Sequence, residues 1–197
     1  MPDQKGDTAV DQADQTAPKT EPTTETPAPP FAALSAQIRA LASGDPVSVS
    51  AGHHDLGADL WLSCDPEGEA ELTCAPAPGG FALGASRGDS GRWTCLGMRL
   101  PTDTLARGRY LGLLIAARPG ALVSFTPRLR YVLRDGSLRD IGQPVPVVLP
   151  AGAREQLTHL PIDPALLARA DVAELNLFFH SPEMQMTLTR LEPLLIL

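Results

Sequence analysis

Four arginines lie close together around a single Asp-Gly dipeptide, and their chemistry is the most specific feature of the sequence. They are Arg128, Arg130, Arg134 and Arg139, on both sides of Asp135-Gly136. A guanidinium group presents a planar fork of N–H donors that matches the paired oxygens of carboxylate, sulfate or phosphate. Gathered on one surface, these arginines would bind an acidic polysaccharide or an acidic protein surface. The alternative is a solvated outer face whose arginines protect a sheet edge.

The dipeptide predicts the β-hairpin that would position the arginines. An Asp-Gly between two apolar runs is typical of a two-residue type I′ turn. With this turn Leu133 lies opposite Leu138, and Val132 lies opposite Arg139. Because side chains alternate along a strand, one face is predicted to be core and the other basic. The core face carries Leu129, Tyr131, Leu133 and Leu138, and the basic face carries the four arginines around Val132 and Ile141.

Two tryptophans could add a stacking surface for sugar rings. Trp61 lies between Leu60 and Leu62, and Trp93 is opposite in parity to Leu96. If these leucines face the core, both indoles point outward, where the C–H face of a sugar can stack on them. The alternative is that each tryptophan is a core residue, as is common in small β domains.

Reactive side chains elsewhere lack the partners that catalysis needs. Residues 88–91 (GDSG) resemble the serine motif of trypsin-like proteases and the G-D-S block of a lipase-like hydrolase family, but the residues that follow match neither family. A serine without a placed base and oxyanion donors is an ordinary alcohol. We therefore predict no catalytic residue; an enzyme would have to use Ser90 or His54.

No metal site or cofactor is predicted either. His53, His54 and Asp55 are of types that bind transition metals, but adjacent residues of a strand point to opposite faces and rarely chelate one ion. The acidic stretch 65–69 (DPEGE) has oxygen ligands for calcium but lacks the full sequence of a calcium loop. A solvated acidic turn is the preferred interpretation of that stretch.

Charge and composition limit the remaining function classes. The net charge is -7, with more than half of it in residues 1–30, and this opposes nucleic-acid binding. Residues 1–30 are rich in Asp, Gln, Thr, Glu and Pro and are predicted to be a disordered leader, a tether or an occupant of the basic face. The longest apolar run, LGLLIAA, falls short of the ~20 residues of a membrane span. Without a visible signal peptide, and with Met1 as the native start, we expect a cytoplasmic protein.

The three cysteines form an odd set with no C-x-x-C spacing, which argues against a zinc site and against a disulfide scaffold. Reduced thiols are expected for Cys64, Cys74 and Cys95. If residues 63–75 form a hairpin, Cys64 and Cys74 face each other, and a cross-strand disulfide is then possible in an oxidising compartment.

The first ordered element predicted is a short amphipathic helix over residues 31–43. Phe31, Leu34, Ile38 and Leu41 form a single apolar stripe, and Gly44 and Pro46 end the helix. Two heptads are too few for an independent coiled coil, so the stripe should pack on its own domain or on a partner.

From residue 44 onward the pattern predicts a β domain. Strands are expected over 47–51, 60–64, 71–75, 93–100, 109–118, 121–134, 137–149, 155–162, 173–180 and 185–197, with a loop over 77–91. Asp163-Pro164 predicts a helical turn that begins with a capping residue and a proline. Pro144 and Pro146 indicate that the strand over 137–149 is an edge strand or is interrupted by a bulge. In the last strand, the apolar face should switch at a bulge near Arg190. Many short strands with few helices indicate an all-β, antiparallel β-sandwich.

The order of elements over about residues 92–197 resembles the galactose-binding-like jelly-roll β-sandwich of carbohydrate-binding modules. The resemblance lies in RWTCLGMRLP, RYLGLLIAAR, PIDPALLARADVAELNLFF and MQMTLTRLEPLLIL. It implies the fold more than a ligand. The prediction is a non-catalytic carbohydrate-binding module, with an acidic polysaccharide as the ligand that the arginines favour. The alternative is an adaptor protein that docks into a larger assembly through residues 1–43.

Overall fold

Thirteen strands and three short helices make up the part of the chain that this computed structural model describes, residues 29–86, 92–181 and 183–197. The helices are α1 (Ala32–Ala40), α2 (Thr102–Leu105) and α3 (Pro164–Leu167). The strands are β1 (Val47–Val49), β2 (Gly52–Gly57), β3 (Leu60–Cys64), β4 (Glu71–Ala77), β5 (Gly80–Ser86), β6 (Thr94–Leu100), β7 (Tyr110–Pro119), β8 (Val123–Leu133), β9 (Leu138–Gly142), β10 (Val147–Leu149), β11 (Arg154–Pro161), β12 (Ala170–Phe179) and β13 (Met184–Ile196).

The strands form two antiparallel sheets. The six-stranded sheet has the order β1-β4-β5-β13-β7-β11, and the seven-stranded sheet has the order β10-β8-β12-β6-β3-β2, with β9 beside β8. Their facing sides enclose one apolar core that contains most leucines of the strands. The predicted antiparallel β-sandwich is therefore confirmed.

Alternating burial fixes which side of the seven-stranded sheet each residue occupies. Leu62 of β3, Leu96 of β6 and Leu177 of β12 lie side by side in the ladder and are almost completely buried. A shift of one residue in any of these strands would move its apolar set into water. Residues of opposite parity, including Trp61 and Asn176, consequently lie on the outer face.

Helix α1 packs on its own domain. Phe31, Leu34 and Ile38 are at most 4% exposed and belong to the core. The Gln37 side chain fixes the helix to the β2–β3 turn, because it accepts a hydrogen bond from the Asp59 amide (2.9 Å) and donates one to the Asp59 carboxylate (3.0 Å). The apolar stripe is thus not available to a partner. Residues 1–28 of the predicted disordered tail lie outside the described residues.

The predicted two-residue hairpin turn is wrong by one residue. The loop has three residues: the Leu133 amide donates to the Ser137 carbonyl (2.9 Å), and the Gly136 amide donates to the Leu133 carbonyl (2.8 Å). Gly136 has a φ of 79°, as in a type I turn that is followed by a left-handed glycine. The Asp135 carboxylate accepts from both the amide and the hydroxyl of Ser137, which stabilises this form.

The three-residue loop changes the face of every side chain in β9. Tyr131 lies opposite Arg139 rather than opposite Asp140, and Arg130 lies opposite Asp140. Arg139 is therefore on the side of the sheet that carries Tyr131, whereas Asp140 joins Arg130 on the outer face. The predicted basic face with four arginines does not form, and Leu138 is exposed instead of buried in the core.

Other boundaries were predicted with mixed success. The stretch 77–91, predicted as a loop, contains β5, whose Phe81 and Leu83 face the core. The break between β9 and β10, the Asp163 cap on α3 and the bulge next to Arg190 are as predicted. No helix of the described residues is long and apolar enough to cross a membrane.

The cysteines are buried free thiols. Cys64 lies in β3 and Cys74 in β4, and these strands belong to different sheets, so the hairpin proposed for residues 63–75 does not exist. Burial raises the pKa of Cys74 to about 11 and that of Cys95 to about 12. Such thiols remain protonated and unreactive at neutral pH.

The packing of α1 is tested by Ile38→Ala. Truncating this buried side chain should lower the free energy of unfolding by about 2–5 kcal/mol, because it removes apolar contacts and leaves a cavity. The measurement is urea denaturation of the full chain. Arg39→Ala, at the exposed neighbouring position, is the control and should shift the midpoint little. Equal stabilities of the two variants would contradict the packing described here.

Candidate functional site

A pocket of about 390 Å³ opens at the centre of the outer face of the seven-stranded sheet. Five strands supply its lining: His53 (β2), Trp61 and Ser63 (β3), Cys95 (β6), Glu174, Asn176 and Phe178 (β12) and Arg130 (β8), with Trp93 just before β6. Because the lining comes from neighbouring strands of one sheet, its positions are fixed by the ladder rather than by loops.

Trp61 forms part of the pocket floor. It faces outward, as its parity predicts, but it is only 7% exposed. The indole lies directly on Gly97 of β6, where a Cβ atom would come within 2.1 Å of the ring. The His53 ring lies beside it in a tilted arrangement, with ring centroids 5.6 Å apart and an interplanar angle of 35°. Trp61 is therefore a buried floor residue and not a freely exposed plate.

Trp93 forms one wall of the pocket and is partly buried. Its indole N–H donates to the Ser63 hydroxyl (3.3 Å), and the Arg92 guanidinium lies 5.6 Å from the ring centroid. The cation and the hydrogen bond hold the indole in one orientation. Trp93 is thus the more accessible of the two tryptophans that the sequence singled out.

The buried Asp65 holds Trp93 in place through its neighbour. The Asp65 amide donates to the Trp93 carbonyl (2.9 Å), and the Asp65 carboxylate accepts from the Arg92 amide (2.8 Å) and from the Arg92 side chain (3.0 Å). The hydrogen bond from the Arg92 amide is the main reason that the pKa of Asp65 is lowered. Asp65 is 2% exposed, so the solvated acidic turn expected for residues 65–69 is wrong at this position.

Asn176 places an unused hydrogen-bond donor at the pocket. The residue is 3% exposed, and its amide nitrogen has no hydrogen-bond partner in the described part of the chain. The Cys95 thiol lies 3.9 Å from its amide oxygen. A buried polar group without a partner is unfavourable by about 1–3 kcal/mol, so a ligand that engaged this amide would relieve that penalty.

The charges around the pocket largely compensate each other. Arg130 makes a two-pronged ion pair with Asp140, at 2.8 Å and 2.9 Å, and this hydrogen bonding is the main cause of the raised pKa of Arg130. Arg128 lies 3.9 Å from the same carboxylate. Glu174 is the ladder neighbour of Arg130 and also lines the pocket.

Only two of the four predicted arginines share this face. Arg128 and Arg130 lie on it, but Arg134 is in the hairpin loop, 3.4 Å from the Asp171 carboxylate. Arg139 is exposed on the other side of β9 and donates to the Leu138 carbonyl. The different loop length explains this split.

Ser90 and His54 were the other candidates for chemistry in the sequence. Ser90 falls in residues 87–91, outside the described residues, and His54 is exposed on the edge strand β2. Among the described residues, no group of three or more His, Cys, Asp or Glu side chains could hold a metal ion.

Sequence reasoning missed six of the nine lining residues as functional candidates. Five of them have outward parity, but nothing in the sequence showed that they meet; they are Ser63, Cys95, Glu174, Asn176 and Phe178. His53 was considered only as a metal ligand. Cross-strand neighbours in a sheet of non-sequential order cannot be read from spacing along the chain.

Comparisons with known proteins find similar folds but no related sequence. No protein-family model matches the chain, and no curated protein matches it. A family 4 carbohydrate-binding module superposes with a TM-score of 0.54 at 9% identity, covering 79% of this chain and 99% of that chain. The C-terminal family 22 carbohydrate-binding module of Clostridium thermocellum Xyn10B gives 0.47 at 13% identity, covering 70% and 87%. The first likeness confirms the predicted jelly-roll fold.

The role of Asp65 is tested by Asp65→Asn. The amide replaces one acceptor oxygen with a donor that faces the Arg92 N–H groups, so the Trp93 indole should lose its fixed orientation. We expect its indole ¹H–¹⁵N resonance to shift or broaden, while that of Trp61 stays in place. In the wild type, the lowered pKa means that the Trp93 resonance should persist as the pH falls to 3.8 and be lost only below it.

The control for this experiment is Glu67→Gln, which removes only an exposed ion pair with Arg92. It should leave the Trp93 resonance unchanged. A folded Asp65→Asn variant with a wild-type Trp93 resonance would show that Asp65 does not position the indole.

Proposed function

We propose that the protein is a non-catalytic carbohydrate-binding module and that the pocket on the outer face of the seven-stranded sheet holds a short stretch of neutral glycan. The observation that carries the proposal is the amide nitrogen of Asn176, which has no partner among the described residues and lies beside an aromatic floor and wall. Sugar recognition needs both elements, because ring C–H groups stack on indoles while hydroxyls require hydrogen-bond partners.

The size of the pocket supports a short ligand segment. A volume of about 390 Å³ lies near the lower end of the range of about 300–1,000 Å³ that is typical of small-molecule sites. Trp93 and Phe178 are both partly buried and supply aromatic rings to the lining. A sugar ring stacked on either of them would have Ser63, Glu174 and Asn176 among the polar groups of the same pocket.

The charge distribution favours a neutral ligand over an acidic one. An acidic polysaccharide was the ligand that four arginines on one face would favour, but Arg134 and Arg139 lie elsewhere. The Arg130 guanidinium is already engaged by Asp140 on two of its N–H groups. An anionic ligand would have to compete with Asp140 and approach Glu174, both unfavourable.

The fold is consistent with this proposal. The structure that superposes with a TM-score of 0.54 is itself a carbohydrate-binding module, although its low identity transfers no binding residue. The alternative of an adaptor protein has less support, since the α1 stripe is buried in the core.

The proposal predicts binding to neutral oligosaccharides in the micromolar to millimolar range, measured by isothermal titration calorimetry across a glycan panel. Trp93→Ala should weaken the best ligand at least about tenfold, which corresponds to the loss of about 1.4 kcal/mol of stacking. The matched controls are Arg134→Ala and Arg139→Ala, which remove predicted binding residues that lie off the face. Both should bind like the wild type.

Ionic strength separates the two ligand classes. Affinity for a neutral glycan should change little between low and high salt, whereas affinity for an anionic glycan held by arginines should fall. Failure of the wild type to bind any glycan on a broad panel would end the carbohydrate proposal. Salt-sensitive binding that Arg139→Ala abolishes would instead restore the acidic version.

A further inference from the structure

The strand β11 has an edge that lacks the protection seen at β1, β2 and β10, although the Gln143 side chain crosses this edge at Thr158 and His159. Sheet edges are commonly shielded from pairing with other chains by short strands, prolines or bulges. β1 and β10 have three residues each, prolines flank β10, and β2 has a register shift between Asp55 and Gly57. β11, in contrast, runs for eight residues in unbroken register with β7.

The backbone of β11 presents free hydrogen-bonding groups in a regular pattern. The Ile162 amide donates to the Arg109 carbonyl, so even-numbered residues turn their N–H and C=O groups towards β7. Glu155, Leu157 and His159 therefore direct theirs outward. One of these groups has a partner among the described residues: the His159 carbonyl accepts from the Gln143 side chain (2.9 Å), and its second lone pair can still accept.

The side chains along this edge are complementary to themselves. Antiparallel pairing of two copies about Leu157 places Leu157 opposite its own copy. The same register places Glu155 opposite His159 of the second copy, and His159 opposite Glu155 of the second copy. Leu157 is 54% exposed in the single chain, a large apolar side chain in the middle of an open edge. The His159 ring is held edge-on against Tyr110, at 5.4 Å and 89°, which keeps it on the outer face beside the edge.

We propose that β11 pairs antiparallel with β11 of a second copy of this chain, about a two-fold axis at Leu157, to form a homodimer with one continuous twelve-stranded sheet. The hydrogen-bonded pairs are Leu157 with Leu157 and Glu155 with His159 across the axis. Pro161 has no N–H to donate and ends the ladder. The contact is small for a permanent complex, so the dimer is expected to form in a concentration-dependent way.

The pairing has a consequence for the orientation of the two copies. Because the axis is perpendicular to the sheet, the same side of the sandwich faces the same direction in both copies. The pockets of the two seven-stranded sheets then open on one side. The dimer itself does not rest on the identity of any ligand.

Sedimentation velocity of the full chain over a concentration series tests this proposal. The wild type should shift from monomer towards twice the monomer mass as the concentration rises. Leu157→Lys puts two like charges opposite each other at the axis and should weaken dimerisation at least about tenfold. Leu122→Lys changes an equally exposed leucine in the β7–β8 loop and is the matched control. It should dimerise like the wild type.

A charge exchange identifies the register. Glu155→Lys should weaken the dimer, because it places a lysine opposite His159 of the second copy. The double variant Glu155→Lys with His159→Glu should restore dimerisation. Circular dichroism of each variant confirms that the sandwich is intact. A wild type that stays monomeric up to millimolar concentration would overturn the proposal. So would a folded Leu157→Lys variant that dimerises like the wild type, because the contact would then lie elsewhere.

Discussion

The alternating burial of leucines in the seven-stranded sheet is the constraint on which the rest of the structure depends. Each fully buried leucine contributes about 1.5–3 kcal/mol, and every central strand of this sheet buries several apolar residues against the six-stranded sheet. A strand that slipped by one residue would lose this burial and place polar groups in the core. The core therefore decides which side chains reach the outer face. The pocket is lined by residues left on that side, among them Trp61, Asn176 and Arg130.

Turn chemistry decides the electrostatics of the same face. β9 lies at the margin of the sheet and buries little, so the core does not fix its register. The Asp135 carboxylate and the left-handed Gly136 fix it instead, through a three-residue loop. That loop puts Asp140 next to Arg130 and turns Arg139 away. One residue of loop length is thus the difference between a basic patch, suited to anions, and a compensated surface, suited to neutral ligands.

The sequence was informative where one strong local signal determined the structure. The α1 stripe, the Asp163 cap, the bulge beside Arg190 and the outward parity of Trp61 were all predicted. The prediction from the sequence was wrong for the Asp-Gly loop, where a two-residue and a three-residue loop have similar free energies. It was also wrong for β5, because the glycines of this strand are typical of a loop. It also could not show that Asp65, from the connection between the sheets, holds Arg92, since that contact depends on the packing of distant segments. The lack of a hydrogen-bond partner for the Asn176 amide nitrogen, among the described residues, is likewise visible only in three dimensions.

We propose the centre of this outer face as the place where a glycan binds. The most direct test is a ¹H–¹⁵N NMR titration of the wild type with the strongest neutral oligosaccharide of a panel. The largest shifts should fall on Ser63, Cys95, Asn176 and Arg130, neighbours across four strands that no linear segment connects. Shifts that cluster on the six-stranded sheet, or no shifts with any glycan, would contradict the proposed binding site.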